Sequence, residues 1–293
     1  MNFTDRLKEK TEEINAFLPE FYPAEDGKEA ALCEAMKYSV MVGGKRIRPM
    51  ILMETCRMFC GETEAAKPFA AALEMIHTYS LVHDDLPAMD NDTYRRGQLT
   101  THAKYGEAMG ILAGDGLLNY AFEVMSDAVV EQGAAAARAM RILAKCAGVR
   151  GMIAGQTVDL EWTGKSLSTE LLDYINERKT AALLCGALMA GAALAGATEE
   201  ELSVLKQIGI YVGLAFQIKD DILDVTGDEA KLGKPLHSDE KNDKRTYVAL
   251  LGIEASEKAV QDYSQKAVEL LDTLPYENLF LRELLLYLAG REY

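Results

Sequence analysis

Twice in this chain an apolar run at helical spacing ends in a knot of aspartates. Leu73, Ile76, Tyr79, Ser80 and His83 recur every three or four residues and predict a helix over about 65–86. It is aimed at His83-Asp84-Asp85-Leu86-Pro87-Ala88-Met89-Asp90-Asn91-Asp92, with Arg95 and Arg96 just beyond. The second run, Leu205, Ile208, Gly209, Val212, Ala215 and Phe216, leads into Lys219-Asp220-Asp221-Ile222-Leu223-Asp224. On a helix Asp220 and Asp224 are i and i+4, and Asp221 and Asp224 are i and i+3, so these carboxylates share a face. Like charges packed this way are unfavourable without a cation, and Mg²⁺ takes oxygen ligands, usually one or two carboxylates together with a substrate phosphate. A single acidic turn capping a helix means little. Two, each closing an apolar helix, point to a joint metal site. That reading carries a geometric condition: Asp84 and Asp90 lie about 240° apart around an unbroken helix, so the helix must bulge or break near Pro87 for them to share an ion.

Composition narrows the classes. The 293 residues contain no linker-like or low-complexity stretch and read as one sizeable core. A net charge of -15 argues against nucleic-acid binding. Positive charge is local, in Gly43-Gly44-Lys45-Arg46-Ile47-Arg48-Pro49 and Arg95-Arg96. Basic side chains and free amides at a helix start suit an anion, although an exposed basic turn would look the same. The five cysteines show no pairable framework and read as buried small hydrophobes in a reducing compartment. No signal-peptide pattern opens the sequence. The apolar stretch 181–197 is too short and too rich in Ala and Gly for a membrane span, so it is expected to be a close-packed core helix in a cytoplasmic protein with no membrane insertion.

In chain order, helices are expected over 4–18, 28–42, 50–59 with Pro49 opening it, 65–86, 105–130, 133–147 and 152–160. Ser168 caps a long segment through Ala193 that contains Lys179-Thr180, a lysine inside an otherwise apolar helix. Thr198 and Glu201 form a capping box for the helix running to Asp224. A polar loop with Lys231, Lys234, Lys241 and Lys244 follows, then helices to the end. No convincing strand is found. Glu74 and His77 have the E-x-x-H spacing of helical di-iron proteins, but no other histidine repeats it, and that reading falls away. His77 is then a core histidine or a hydrogen-bond donor to an anion. The fold class is all-α, about ten or more helices around a central cavity.

This combination resembles the short-chain trans-isoprenyl diphosphate synthases. The residues that carry the resemblance are Gly43 to Pro49, His77 to Gly97, Gly155-Gln156-Thr157-Val158-Asp159-Leu160, Lys179-Thr180, Phe216 to Asp224, Gly233-Lys234-Pro235 and Thr246-Tyr247. His237 departs from the pattern, where many relatives have Gly. The resemblance implies the isoprenoid synthase fold as a single domain over 1–293, in a likely-sized soluble enzyme working as a homodimer. It implies a prenyltransferase that condenses dimethylallyl or geranyl diphosphate with isopentenyl diphosphate. Asp84, Asp85, Asp90, Asp220, Asp221 and Asp224 would hold more than one Mg²⁺ against the allylic diphosphate, with Arg95, Lys179 and Lys234 completing the clamp. Lys45, Arg48, His77 and Arg96 would bind isopentenyl diphosphate without a metal, and Thr180 and Gln217 would face the carbocation. A terpene cyclase handles one diphosphate and leaves the Lys45–Arg48 island surplus, and a non-catalytic regulatory subunit should have lost acidic ligands that are intact here.

Product length turns on Tyr79, five residues before Asp84 and roughly 7.5 Å up the helix axis. An ordinary core aromatic would sit there too. With small Ser80 beside it, Tyr79 is the bulky group that can act as a floor. In the resembling family an aromatic at this position goes with a fifteen-carbon product, farnesyl diphosphate, and smaller residues with longer chains such as geranylgeranyl diphosphate.

Overall fold

The computed structural model describes residues 2–226 and 246–290. Lys231, Lys234, His237, Lys241 and Lys244 lie outside that range. The described chain is helical almost throughout: α1 (Phe3–Phe17), α2 (Ala30–Met41), α3 (Ile47–Cys60), α4 (Lys67–Asp84), a short hairpin β1 (Tyr94–Arg95) and β2 (Gln98–Leu99), α5 (Thr101–Tyr105), α6 (Glu107–Gln132), α7 (Ala134–Ala147), α8 (Met152–Trp162), α9 (Thr169–Asn176), a π-helical turn (Glu177–Ala181), α10 (Ala182–Leu194), α11 (Glu199–Thr226), α12 (Tyr247–Leu251), α13 (Ile253–Leu271) and α14 (Leu279–Gly290).

Local chemistry sets the helix starts. The Asn2 side chain accepts from the Asp5 amide (2.8 Å), and Ser168 Oγ accepts from the Leu171 amide (3.3 Å). At α11 the capping box forms in both directions, Thr198 N to Glu201 Oε2 (2.7 Å) and Glu201 N to Thr198 Oγ1 (3.2 Å). Helix α3 begins earlier than expected, at Ile47, because Arg46 takes a left-handed conformation (φ 51°) at the N-cap. Pro49 therefore sits within the first turn, where its missing N–H would have had no helical partner anyway.

Two helices form the axis of the bundle. Helix α4 is buried on every side from Phe69 to Ile76, and α10 from Ala182 to Leu188. Around them pack α3, α6, α7 and α11, with α13 against α11. Small residues set the spacing, as expected for 181–197: a Cβ at Gly191 of α10 would overlap the Leu52 carbonyl of α3. No helix among the described residues is long and apolar enough to cross a membrane.

Two features depart from the reading above. A β ladder exists, pairing Tyr94 with Leu99 and Arg95 with Gln98. Its two-residue turn places Arg96 (φ 52°) and Gly97 (φ 75°) both at positive φ, the conformation that matches hairpin twist. Cys60 is exposed rather than buried, at the last residue of α3.

Glu74, on the all-buried stretch of α4, is paired with Arg46 (2.7 Å), their side chains 3% and 1% exposed. Arg46 also donates to Asn15 Oδ1 and to the Val40 carbonyl, both at 2.8 Å, so one guanidinium ties α1, the end of α2 and α4. Removing one partner strands a buried charge. Glu74→Ala is expected to lower stability by about 3–5 kcal/mol, and an Arg46→Met/Glu74→Met pair to recover most of it, measured by urea denaturation. Equal losses in the single and double variants would mean that the pairing is not what matters.

Candidate active site

Helix α4 stops where the metal-sharing geometry needs it to. Asp85 is its C-cap, and past Pro87 the chain folds back so that the Asp90 amide donates to the Asp84 carbonyl (2.8 Å) and the Asn91 amide to the Leu86 carbonyl (3.1 Å). Asn91 turns the chain at φ 54°, a conformation that Asn tolerates. The break expected near Pro87 is present, and Asp90 is brought back beside Asp84.

Helix α8 and the π turn close on this corner. Gln156 Nε2 donates to Asp84 Oδ1 (2.7 Å), and Lys179 Nζ is paired with Asp159 Oδ2 (2.6 Å). Burial works against the Lys179 charge, but Asp159, Asp84 and Asp90 together hold its pKa above the usual lysine value. The approach is tight, since a Cβ on Gly155 would overlap the Lys179 backbone. Neighbouring Thr180 reaches the other cluster: its Oγ1 donates to Gln217 Oε1 (3.0 Å), and Gln217 Nε2 donates to Asp221 Oδ1 (3.1 Å). Consecutive residues of one π turn thus serve both acidic clusters, and π turns are frequent at functional sites.

The six aspartates are not equivalent. Asp85 is 3% exposed and gripped by Arg95, whose Nη2 and Nε donate to Oδ1 at 2.6 and 2.8 Å. Burial pushes the Asp85 carboxyl up, and the guanidinium pulls against it. Arg95 therefore holds Asp85 in this structure. Asp221, also buried, accepts the Tyr247 amide on Oδ2 (3.0 Å) and so starts α12. Asp224 is 2% exposed, whereas Asp220 is half-buried. Every donor in this set is a carboxylate oxygen, which suits Mg²⁺ over softer ions. Among the described residues no three acidic, imidazole or thiol groups form a closed cage.

The basic residues gather separately. Arg48 Nη1 lies 3.3 Å from His77 Nε2, and Arg48 Nε is buried without a partner. Burial, with Arg96 nearby, lowers Arg48 to about 10. His77 is held well below its ordinary pKa by burial and by Arg48, Arg96, Arg95 and Arg46, which makes it a neutral imidazole among cations. Arg96 donates to the Gly43 carbonyl, and Lys45 Nζ to Tyr287 Oη of α14 (3.1 Å). Such crowding of positive charge fits an anion.

Tyr79 is 6% exposed, its ring edge-on to His83 (centroids 5.8 Å apart), and burial and the Asp84 charge raise its phenol to about 12. Lys234 lies outside the described residues. Reading the residues alone assigned no role to Gln156, Asp159 or Glu74. For Glu74 a signal existed: a carboxylate on the apolar face of a buried helix demands a buried cation, although the sequence does not say which.

The model of the family described as polyprenyl synthetase matches residues 29–273. A farnesyl diphosphate synthase of Geobacillus stearothermophilus is 42% identical over 289 residues, covering 98% of this chain and 97% of the relative. A chloroplastic geranylgeranyl pyrophosphate synthase of Catharanthus roseus is 45% identical over 242 residues, covering 81% of this chain and 67% of the relative. The solved geranyltransferase of Helicobacter pylori, complexed with magnesium and isoprenyl diphosphate, superposes with a TM-score of 0.85 at 34% identity, covering 98% and 96% of the two chains. A family match over most of the chain, and relatives alike over nearly all of it, agree with paired acidic clusters on an all-helical frame: the chain belongs to the polyprenyl synthetase family and has the isoprenoid synthase fold.

Proposed function

We propose that this protein is a farnesyl diphosphate synthase, a transferase that joins dimethylallyl or geranyl diphosphate to isopentenyl diphosphate and releases diphosphate. The observation that carries it is the separation of charge at one site. In one π turn the Lys179 charge stands near Asp84 and Asp90 of the first cluster while Thr180 reaches Asp221 of α11 through Gln217, and Arg48, His77 and Arg96 form a distinct basic cluster beside α4. Two diphosphates need two such places. Only one of them needs metal.

Asp84, Asp85, Asp90, Asp220, Asp221 and Asp224 would hold Mg²⁺, more than one ion per site, and the metal when bound would neutralise the diphosphate leaving group as its C–O bond breaks. Asp85 is tied to Arg95, and Asp221 to Gln217 and Tyr247, which orients one carboxylate of each cluster. Lys179 is aimed at the same corner, and Lys234 completes the clamp. The oxygens of Thr180 and Gln217 turn their negative dipole ends toward the allylic cation, and the buried walls of α4 and α11 exclude water. Lys45, Arg48, His77 and Arg96 orient isopentenyl diphosphate so that its double bond attacks. The proton that is then lost passes to the departing diphosphate. One domain, working as a cytoplasmic homodimer, completes the reading.

The farnesyl diphosphate synthase of Geobacillus stearothermophilus matches this chain over 98% of its length and the geranylgeranyl pyrophosphate synthase of Catharanthus roseus over 81%, which supports the fifteen-carbon product, and within the chain product length rests on Tyr79. Its burial on α4 beside Asp84 supports a floor for the growing chain. Purified protein with Mg²⁺, isopentenyl diphosphate and geranyl diphosphate is expected to give the fifteen-carbon product. Tyr79→Ala is expected to stay active and extend to twenty carbons or more. A Tyr79→Ala enzyme that is active and still stops at fifteen would put the floor elsewhere.

The two diphosphate places separate kinetically. Arg48→Ala or Lys45→Ala is expected to raise KM for isopentenyl diphosphate about ten- to a hundredfold with a smaller change in kcat, because ground-state charge-assisted hydrogen bonds are lost. Asp84→Ala or Asp220→Ala is expected to lower kcat by about 10²–10³-fold, because charge developing in the transition state loses its support. Steady-state kinetics with each substrate varied in turn checks both, and uniform effects of all four variants on both substrates would rule out separate sites.

A further inference from the structure

A cavity of about 890 Å³ lies between α7, the loop before α8, the π turn, α10 and α11, and no active-site side chain named above lines it. Its lining includes Ile142, Cys146, Cys185, Met189, Leu202 and Ile210, an apolar recess of the size that small-molecule sites use. Five cations join them: Arg141, Lys145, Arg150, Arg178 and Lys206. Two carboxylates are present, and one of them, Glu199, is paired with Arg138 (2.8 Å). On a protein of net charge -15 this excess of positive charge is local and opposite to the whole.

The five cations line the recess from α7, the loop before α8, the π turn and α11. Lys206, Arg178 and Lys145 all act on the Cys146 thiol, pulling against the burial that raises it to about 11. Arg178 donates through Nη1 to the Arg150 carbonyl (2.8 Å), while its Nε is buried with no hydrogen-bond partner among the described residues. A ligand matched to this place has a multiply charged anionic head and a slender apolar tail. That is the chemistry of a prenyl diphosphate, which is present wherever this enzyme works.

We propose that the cavity is a second binding site for a prenyl diphosphate, with the head on Lys145, Arg178 and Lys206 and the tail along Cys146, Met189 and Leu202. The identity of the ligand rests on the function proposed above; the site itself rests on the cavity and its charges. Glu177 and Arg178 belong to the turn that also carries Lys179 and Thr180, so an occupied site sits one residue from the active centre.

Binding of farnesyl diphosphate to the full chain, measured by equilibrium dialysis in EDTA and again in Mg²⁺, tests the proposal. In EDTA one molecule per chain is expected. Lys145→Glu/Lys206→Glu should weaken it about tenfold or more, and Ser203→Trp, which fills the mouth from an exposed position of α11, should do the same. Both variants should keep kcat and both KM values, which shows that they fold. Farnesol and inorganic diphosphate should each bind about tenfold more weakly than farnesyl diphosphate, since each lacks one half of the contact. No binding in EDTA, binding that neither variant weakens, stronger binding to phosphatidylglycerol vesicles than to farnesyl diphosphate, or a changed oligomeric state in the variants would each overturn it. A Mg²⁺-dependent class that disappears in Asp84→Ala reports on the active site independently, so its absence would count against the proposed function and not against the cavity.

Discussion

Like charges repel, and this fold crowds them twice. Two unit charges 4 Å apart cost about 4 kcal/mol at the effective dielectric of a protein surface. The chain nevertheless brings Asp84, Asp85 and Asp90 to one corner, and Arg48, Arg95 and Arg96 with His77 to a neighbouring one. Internal pairs limit the cost without cancelling it. Arg95 takes Asp85, Lys179 takes Asp159, and Arg46 takes Glu74. Each pair holds a side chain in place at the margin of a cluster, and the clusters themselves keep the sign that an ion or a diphosphate requires.

That division explains why the frame around the site is so tightly built. A site made of mutually repelling groups cannot hold itself together, so the backbone must do it. Gly155 lets α8 approach the π turn until backbone meets side-chain-free backbone, and Gly191 does the same between α10 and α3. Asp221, by accepting the Tyr247 amide, ties the start of α12 to α11. Apolar burial on all sides of α4 and α10 supplies the rigidity against which the charges push.

What could be read from the residues was local. Helical spacing, the Thr198–Glu201 box, the Ser168 cap and the break after Asp85 depend on neighbours within about one turn, and the structure has them all. The all-α class and the two acidic helix ends followed from the same short-range rules. Partners from distant helices were not legible. Nothing near Glu74 announces Arg46, and nothing near Lys179 announces Asp159. The Arg96-Gly97 hairpin escaped because one of its left-handed residues is an arginine, which carries no turn signature. Start positions near Pro49 were misjudged because proline fits anywhere in a first turn, not only at its opening.

The π turn at 177–181 has a consequence for the phase of the helices on either side of it. A π turn closes over one residue more than an α turn, so α9 before it and α10 after it are out of phase by that residue. A ruler of 3.6 residues laid from Ser168 to Ala193 cannot fit both. The helix therefore changes phase by one residue, in a stretch where Thr180 and Ala181 are buried. A chain one residue shorter here would make a better helix. It would also turn everything on one side of the turn by about 100° relative to the other, and lysine and threonine would no longer address two different walls.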